Sequence, residues 1–211
     1  MQHHPHRILA LALALPIAAA ACSSSGSSSS SSTHASTSTT TAPAPLQVTT
    51  SACRGVSSGR ALALGPSTRA ALVAIGTRYL QQAVAEPVHT GKLGAGFGAD
   101  FEPAAAARVG AGGADAAAMT EMAGPLTGSG APVSATLACT VLGDATGKPA
   151  TASLAITATA ASKGRSAHRT GELLVVRGGD GHWRIGGYDI TVVRDAGDGT
   201  GATTTSAGKQ P

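Results

Sequence analysis

In the second half of the chain, apolar and polar residues alternate with a period of two, which is typical of half-buried β-strands. The clearest stretch is residues 171–195, GELLVVRGGDGHWRIGGYDITVVRD, whose two apolar runs flank a glycine-rich turn and predict a β-hairpin. In its second strand, Trp183 faces one side, while Tyr188 and the apolar residues after it have the opposite parity. Because side chains alternate strictly along a strand, we expect a β-bulge at residues 186–187, where two glycines can absorb an extra residue. A bulged strand bends, so the sheet should be curved.

Two earlier stretches, residues 133–141 and 150–160, show the same alternation, with apolar residues on one face and serine or threonine on the other. Residues 143–149 and 163–170 are rich in turn-forming residues and separate these stretches from each other and from the hairpin. Together the patterns predict four antiparallel strands, each with one apolar face.

Before the strands, the apolar spacing is that of a helix. Over residues 66–85, apolar side chains recur at i, i+3 and i+4, and the pattern predicts a helix that ends at Glu86-Pro87. Shorter helical segments are expected at residues 101–109 and 115–122. Helices followed by strands predict an α+β fold, in which N-terminal helices pack in a strongly curved antiparallel sheet of about four or more strands.

The N-terminal residues have the pattern of an export signal. A weakly positive start precedes an apolar run at residues 8–21, which is too short for a comfortable membrane span and ends in alanines. We therefore expect residues 1–21 to be a signal peptide. The sequence Ala-Ala-Ala-Cys22 resembles the lipobox of bacterial lipoproteins, which implies that Cys22 carries a lipid and anchors the chain at the extracytoplasmic face of the cell membrane. The alternative is an ordinary secretory signal with an A-x-A cleavage site.

Low-complexity segments flank the part of the chain that can fold. Residues 22–47 are rich in serine, threonine and proline and have no apolar face, so we expect a lipid-bearing flexible tether. Residues 196–211 form a tail of glycine, threonine and alanine, which should be disordered for the same reason. The folded domain is therefore expected within residues 48–195, a length that can bury a core.

Composition limits the partners of this domain. Aromatic residues make up 2% of the chain and charged residues 12%, so the core must be built largely from alanine with some leucine, isoleucine and valine. The formal net charge of +4 is mild and scattered. No basic stripe is interleaved with aromatic residues, and nucleic acid is therefore not an expected partner.

The domain resembles the nuclear-transport-factor-2-like superfamily over most of residues 60–195. The residues that carry the resemblance are the helix at 70–85, the Phe-Glu-Pro segment at 101–103 with the alanine-rich helix after it, and Trp-Arg-Ile at 183–185 ahead of the strand at 188–194. The resemblance implies a long helix and shorter helices held in a cone-shaped sheet. The superfamily includes isomerases, dehydratases, cyclases, transport factors and domains without known activity, so it implies a fold rather than a reaction.

The resemblance also indicates where enzymatic groups would lie. Isomerases of this kind need a carboxylate and a tyrosine inside the cone, and Tyr79 on the inward face of the long helix could serve as an oxyanion donor. The first two predicted strands contain no Asp or Glu, and Asp189 has outward parity. We therefore predict no catalytic residue. Tyr79, Trp183 and Tyr188 are candidates to line a cavity, with Trp183 buried against the long helix; for Tyr79, a core position is the alternative.

Neither a metal nor a cofactor is expected. His89, His168 and His182 have no i, i+4 pairing and no flanking acid, so positions in loops and turns are favoured over a metal site. Residues 143–148, GDATGK, superficially resemble a phosphate-binding loop. The segment is one residue short between its glycines, precedes a proline and connects two strands, so we reject that interpretation.

The cysteines suggest one covalent link. With Cys22 assigned to the lipid, Cys53 and Cys139 are an even pair in an oxidising compartment, and a disulfide between them is favoured. The alternative is two unpaired thiols, with Cys139 a small buried residue of its strand.

Three functional hypotheses follow. The first is a non-enzymatic lipoprotein domain that binds a small apolar ligand or a cell-envelope partner. The second is an isomerase-like or cyclase-like enzyme that uses Tyr79. The third is a structural or accessory envelope subunit that associates through the serine and threonine face of its sheet.

Overall fold

The computed structural model describes residues 46–127, 129–195, 197 and 201–209, and the structural statements below refer to these residues. They form an α+β fold around one mixed sheet. The strands are β1 (Leu46–Thr50), β2 (Arg54–Ser57), β3 (Arg60–Ala61), β4 (Val133–Gly143), β5 (Pro149–Ser162), β6 (Arg165–Arg177), β7 (Trp183–Asp195) and β8 (Ala202–Lys209). Their order is β3-β2-β4-β5-β6-β7-β8, with β1 also paired to β4, and the sheet does not close on itself.

The helices lie between β3 and β4 in the chain. They are α1 (Pro66–Leu80), a π-helical turn (Gln81–Ala85), α2 (Glu86–Thr90), α3 (Pro103–Val109), α4 (Ala116–Thr120) and a 3₁₀ helix (Glu121–Leu126). None of the described helices is long and apolar enough to cross a membrane.

The predicted α+β class is confirmed, but the helices are not N-terminal, because β1, β2 and β3 precede them. Both β1 and β2 pair with β4 in parallel. Parallel neighbours need a long connection, and here the helical segment supplies it. The first described strand begins at Leu46, two residues before the domain boundary expected from the sequence.

The long helical segment does not end at Glu86-Pro87 as predicted, but continues through α2 to Gly91. The π-helical turn, whose backbone hydrogen bonds join residues five apart rather than four, makes this continuation feasible. In that turn the backbone N–H of Glu86 donates to the carbonyl of Gln81 rather than to that of Gln82. Pro87 then lies in the first turn of α2, where its missing N–H costs least. Gly91 ends the segment in the left-handed region, with φ of 73°.

The four predicted strands correspond to β4, β5, β6 and β7, and the β-bulge lies where the sequence predicts it. Leu174 pairs with Gly187 and Val175 with Ile185, so Gly186 is the extra residue of β7. The bulge turns both Ile185 and Tyr188 into the core. The parity change of this strand is thus absorbed by one glycine.

The turn predicted over residues 163–170 is much shorter in the structure. Ser162 pairs with Arg165, and only Lys163 and Gly164 lie between them, both with positive φ. These are the backbone angles of a tight two-residue hairpin turn. Residues 165–170 therefore belong to β6, which extends six residues further towards the N-terminus than the apolar pattern suggests.

The C-terminal tail also departs from its prediction of disorder, because β8 adds an eighth strand beside β7. Ala207 of this strand is buried in the core, opposite Ile190 of β7. Thr205 donates a hydrogen bond to the carboxylate of Glu121 in the 3₁₀ helix, and Glu121 also pairs with Arg194 of β7 at 2.8 Å. These polar contacts hold a strand that has almost no apolar residues of its own.

The core lies between the helices and one face of the sheet. The strand residues that face it are Val133, Ala135, Leu137, Cys139, Val141, Ala152, Leu154, Ile156, Ala158, Ala160, Ala167, Leu173, Val175, Ile185, Tyr188, Ile190 and Val192. Helix α1 contributes Leu72, Ile75, Tyr79 and Leu80. Gly76 lets α1 approach β4 closely, since a Cβ there would lie 2.7 Å from a methyl group of Leu137. The core is thus alanine-rich, as expected from the composition.

Candidate functional site

Tyr79 and Tyr188, predicted to line a cavity, are buried in an aromatic cluster. Their exposed fractions are 2% and 3%. The ring of Tyr79 lies 6.1 Å from that of Phe97, Phe97 lies 5.3 Å from Phe101, and Phe101 lies 6.2 Å from Tyr188. These spacings and tilted orientations are favourable for aromatic packing. Both tyrosines therefore fill the space between the helices and the sheet.

The tyrosine hydroxyls are also engaged. Tyr79 donates to the Sδ atom of Met119 at 3.6 Å, and burial raises the pKa of Tyr79 above its ordinary value. Tyr188 donates to Oδ2 of Asp115 at 2.5 Å, and the same oxygen pairs with Arg108 at 2.8 Å. Burial, together with the hydrogen bond to Asp115, raises the pKa of Tyr188 to about 12. Two protonated tyrosines committed to internal partners are poorly suited to act as a base or as an oxyanion donor.

Trp183 is half-buried rather than fully buried. It lines a surface groove of about 360 Å³ with Ile75 and other residues of α1, so its predicted position beside this helix is correct, whereas its predicted burial is wrong. Arg78 and Asp100 also line this groove and form an ion pair of 2.7 Å. Trp183 is the first residue of β7 and lies beside the open groove rather than inside the core.

A larger cavity, here called the α4 groove, lies between the loop after α2 and helix α4. Its volume is about 440 Å³. The lining residues are Gly91, Lys92, Leu93, Gly94, Gly96, Phe97, Gly110, Ala111, Ala116, Ala117 and Thr120. Most of these are glycine or alanine, with Leu93 and Phe97 as the large apolar side chains. Small residues on both walls leave the space open, and its size falls within the range of small-molecule sites.

The loop wall of the α4 groove is fixed to the π-helical turn. Because the turn moves the Glu86 N–H to Gln81, the carbonyl of Gln82 is free to accept a bond of 2.8 Å from the N–H of Gly94. The side-chain amide of Gln82 also donates to the carbonyl of Ala95 at 3.1 Å. A Cβ at Gly94 would lie 2.9 Å from the Cα of Gln82, so glycine is required for this approach. The irregular turn thus determines the position of the loop.

The α4 wall is built from one face of a short alanine-rich helix. Ala116, Ala117 and Thr120 face the groove, and the Thr120 hydroxyl donates to the carbonyl of Ala117 at 2.8 Å. Met119 is directed into the core and is fully buried. Asp115 precedes α4 but makes no side-chain cap to it and binds Arg108 and Tyr188 instead.

A buried arginine lies behind the α4 groove. Arg169 of β6 has an exposed fraction of 0%. Its Nη1 donates to the carbonyl of Ala83 at 2.7 Å, and its Nη2 donates to the carbonyl of Met119 at 2.6 Å. Its Nε has no hydrogen-bond partner among the described residues. Burial lowers the pKa of Arg169 below its ordinary value, and the neighbouring Tyr79 partly offsets this.

Arg169 connects the two walls of the α4 groove. One of its amino groups binds the π-helical turn, which carries the loop, and the other binds α4. The Ala83 carbonyl needs this donor because of Pro87. In an α-helix the N–H four residues later would donate to that carbonyl, but proline has no N–H. Sequence reasoning did not identify Arg169, although it shares the odd parity of Leu173 and Val175. This parity would have indicated that Arg169 faces the core, but residues 163–170 were interpreted as a turn.

The histidines do not converge. His89 is in α2, His168 is exposed on β6, and His182 is exposed just before β7. Across the described ranges, no three His, Cys, Asp or Glu side chains are grouped so that they could hold a metal ion.

Cys53 and Cys139 are joined by a disulfide in the structure, with their Cα atoms 4.5 Å apart. Cys53 lies between β1 and β2, and Cys139 lies on β4, to which both strands pair. The bridge therefore fastens the N-terminal edge of the sheet. Cys22, the expected lipidation site, lies outside the described residues.

Comparison with known proteins adds no relative: no family model matches the chain, and no curated protein or solved structure matches it either. The features of this chain that bear on its function are therefore the α4 groove and the sequence pattern of the N-terminus.

Proposed function

We propose that this chain is an exported, membrane-tethered lipoprotein whose folded domain binds a small apolar ligand and catalyses no reaction. The observation that carries the proposal is the α4 groove, a cavity of about 440 Å³ lined by glycine, alanine, Leu93 and Phe97. Apolar cavities of this size with few polar groups are typical of binding sites for small apolar molecules. Tyr79 and Tyr188, the tyrosines that a cavity-based enzyme would use, are instead bonded within the protein.

A cone-like architecture related to the nuclear-transport-factor-2-like superfamily is part of the proposal. Support comes from the long helix α1 packed on the inner face of β4 and β5, and from the bulge at Gly186, since bulged strands bend. The parallel strands β1 and β2 and the added strand β8 are features that the sequence-based resemblance does not anticipate.

The groove proposal is tested with N-phenylnaphthylamine, an uncharged fluorescent probe for apolar cavities. We expect Ala117→Phe to weaken probe binding by at least about tenfold, because the larger ring occupies the groove that Ala117 lines. Ala114→Phe is the matched control, since Ala114 is exposed just before α4 and does not line the groove. Equal binding by the wild type and the Ala117→Phe variant, with both folded, would disprove a ligand site here.

The membrane anchor rests on the residues before the folded domain. An apolar run that ends in alanines, followed by Cys22 and an uncharged serine-rich segment, supports lipidation and tethering on the extracytoplasmic face. A Cys22→Ala variant should leave the membrane fraction and lose the mass of the lipid. Identical partitioning of variant and wild type would contradict the anchor without affecting the groove.

A second candidate function is an accessory envelope subunit that docks through the outer face of the sheet. One observation favours it: a row of hydroxyl residues crosses six adjacent strands in register. The row is Thr49, Thr136, Thr157, Thr170, Thr191 and Ser206. A lysine in place of Thr157 would interrupt such a surface at its centre, and it should leave probe binding in the α4 groove unchanged. Loss of co-purifying envelope proteins with Thr157→Lys, but not with Ala117→Phe, would favour this second function.

A further inference from the structure

The charges around the α4 groove are not balanced. Lys92 is the only charged residue among those that line it. The two acidic residues that flank α4 are already paired: Asp115 with Arg108 at 2.8 Å and Glu121 with Arg194 at 2.8 Å. Among the described residues, Lys92 has no ion-pair partner. A cation at the edge of an apolar groove, with the nearby carboxylates neutralised, attracts a negative charge.

Arg169 adds a second positive charge on the inner side of α4. It binds the carbonyls of Ala118 and Met119, which lie between the groove-lining residues Ala117 and Thr120. It is fully buried, and no carboxylate neutralises it among the described residues. In a low-dielectric interior such a charge is poorly screened, so its field extends through the short helix into the groove.

Resting on the proposed function, we propose that the ligand of the α4 groove is a single-chain amphiphile with a carboxylate head group. Its chain lies along Leu93, Phe97 and the alanines of α4, and its carboxylate pairs with the Lys92 ammonium group. If each heavy-atom group of the ligand takes roughly the 30 Å³ that a water molecule occupies in the liquid, a cavity of about 440 Å³ holds about fifteen of them, enough for a twelve-carbon chain with its head group. The dodecanoate anion is therefore a suitable probe.

The test compares head groups on one chain length. Dodecanoate, dodecanol and dodecyltrimethylammonium compete with N-phenylnaphthylamine for wild-type protein at low salt. We expect dodecanoate to bind roughly three- to fivefold more tightly than dodecanol, the size expected for one exposed ion pair. The cationic detergent should bind more weakly than the alcohol. The preference for dodecanoate should decrease as salt is added, because the pair is exposed to solvent.

The variant Lys92→Gln should remove most of the difference between dodecanoate and dodecanol, because only the more distant charge of Arg169 then favours the carboxylate. Lys148→Gln, at an exposed lysine in the turn between β4 and β5, is the matched control and should retain the difference. If dodecanoate and dodecanol bind equally to the wild type, or if Lys92→Gln retains the preference, the head-group proposal is wrong and the apolar site stands. If dodecyl phosphate binds more tightly than dodecanoate, the head group is a phosphate and the carboxylate assignment is wrong. If the uncharged probe and every chain fail to bind, the groove is not a ligand site and both proposals fail.

Discussion

At the scale of single residues, Arg169 is the most unusual feature of this domain. Burying a guanidinium group is expensive unless its charge and its donors are compensated. Here the compensation comes from backbone carbonyls of Ala83 and Met119 rather than from an acid. Both carbonyls belong to irregular or short helical elements, where carbonyl groups lack helical partners. Arg169 therefore stabilises two elements that could not satisfy their own hydrogen bonds.

The first prediction concerns this role. Arg169→Lys should lower the free energy of unfolding by about 1–3 kcal/mol, because a single ammonium group cannot reproduce the planar fork and leaves a buried carbonyl unpaired. The measurement is chemical denaturation at neutral pH. Arg165→Lys, on the same strand, replaces an exposed arginine that donates to the carbonyl of Pro125, and should change stability by less than about 0.5 kcal/mol. Equal losses of unfolding free energy in the two variants would mean that the hydrogen bonds of Arg169 to Ala83 and Met119 do not stabilise the domain more than the exposed contact of Arg165 does.

The second prediction concerns the tyrosines at alkaline pH. Burial and Asp115 raise the folded-state pKa of Tyr188 to about 12, whereas an unfolded tyrosine titrates near about 10. A raised folded-state pKa contributes stability that is complete below the unfolded value and is lost as the pH rises through the folded value. Stability should therefore fall between about pH 10 and pH 12.

Ultraviolet titration of tyrosinate checks this directly. Native protein should show little ionisation near pH 10, and unfolded protein should ionise there. Tyr188→Phe should reduce the alkaline loss of stability. Normal titration of both tyrosines in the native state would show that their hydroxyls are not buried as described.

At the scale of elements, β8 shows how a strand with few apolar residues becomes ordered. Thr205 lies at the point where β8 meets Glu121 of the 3₁₀ helix and Arg194 of β7. We expect Thr205→Ala to destabilise the domain by about 1–2 kcal/mol, since it removes a hydrogen bond to a charged group. Thr203→Ala removes the same atoms from an exposed position of the same strand and should have little effect. Denaturation midpoints that shift equally for both variants would contradict the proposed role of this contact.

The elements that the sequence predicts well are those in which burial controls the pattern. In strands β4 and β5, apolar and polar residues alternate cleanly because one face of each strand is buried. The glycine pair at 186–187 indicates the bulge, because the apolar residues before and after it have opposite parity. Strands β1, β2, β3 and β8 were not predicted, since the first three are short and β8 lies at the sheet edge. Strand β1 places only Leu46 and Val48 against the core, and β8 is held mainly by backbone pairing and polar contacts. Composition alone makes such segments look like disordered chain.

The candidate site was harder to predict for a related reason. The α4 groove is formed by residues without side-chain chemistry, chiefly glycines and alanines, and it exists because a π-helical turn moves a loop into place. The sequence up to Pro87 instead indicated the end of a helix. Tyr79, Trp183 and Tyr188 are the residues that the sequence predicts to line a cavity, and in the structure two of them pack in the core. Side-chain identity thus indicated burial more reliably than it indicated the binding surface.

At the scale of the whole molecule, the disulfide links the start of the folded domain to the centre of its sheet. Strands β1 and β2 are only five and four residues long, and each depends on β4 for its pairing. A chain tethered at its N-terminus would transmit any pull first to β1. The Cys53–Cys139 bridge lies directly after that strand and prevents β1 and β2 from separating from β4 together.

The last prediction is the contribution of this bridge to stability. The two cysteines are 86 residues apart, and for a loop of that length the chain-entropy model gives roughly 4.5 kcal/mol of stabilisation. An alanine-rich core offers little burial per residue, so a loss of this size should leave the domain only marginally folded. The experiment uses the Cys22→Ala background, in which no third thiol interferes, and compares the oxidised chain with a Cys53→Ala/Cys139→Ala variant by chemical denaturation. Thiol titration of the unfolded, unreduced chain should find no free thiol. Two free thiols per chain, or equal stability of the two proteins, would show that the bridge does not hold the N-terminal edge of the sheet.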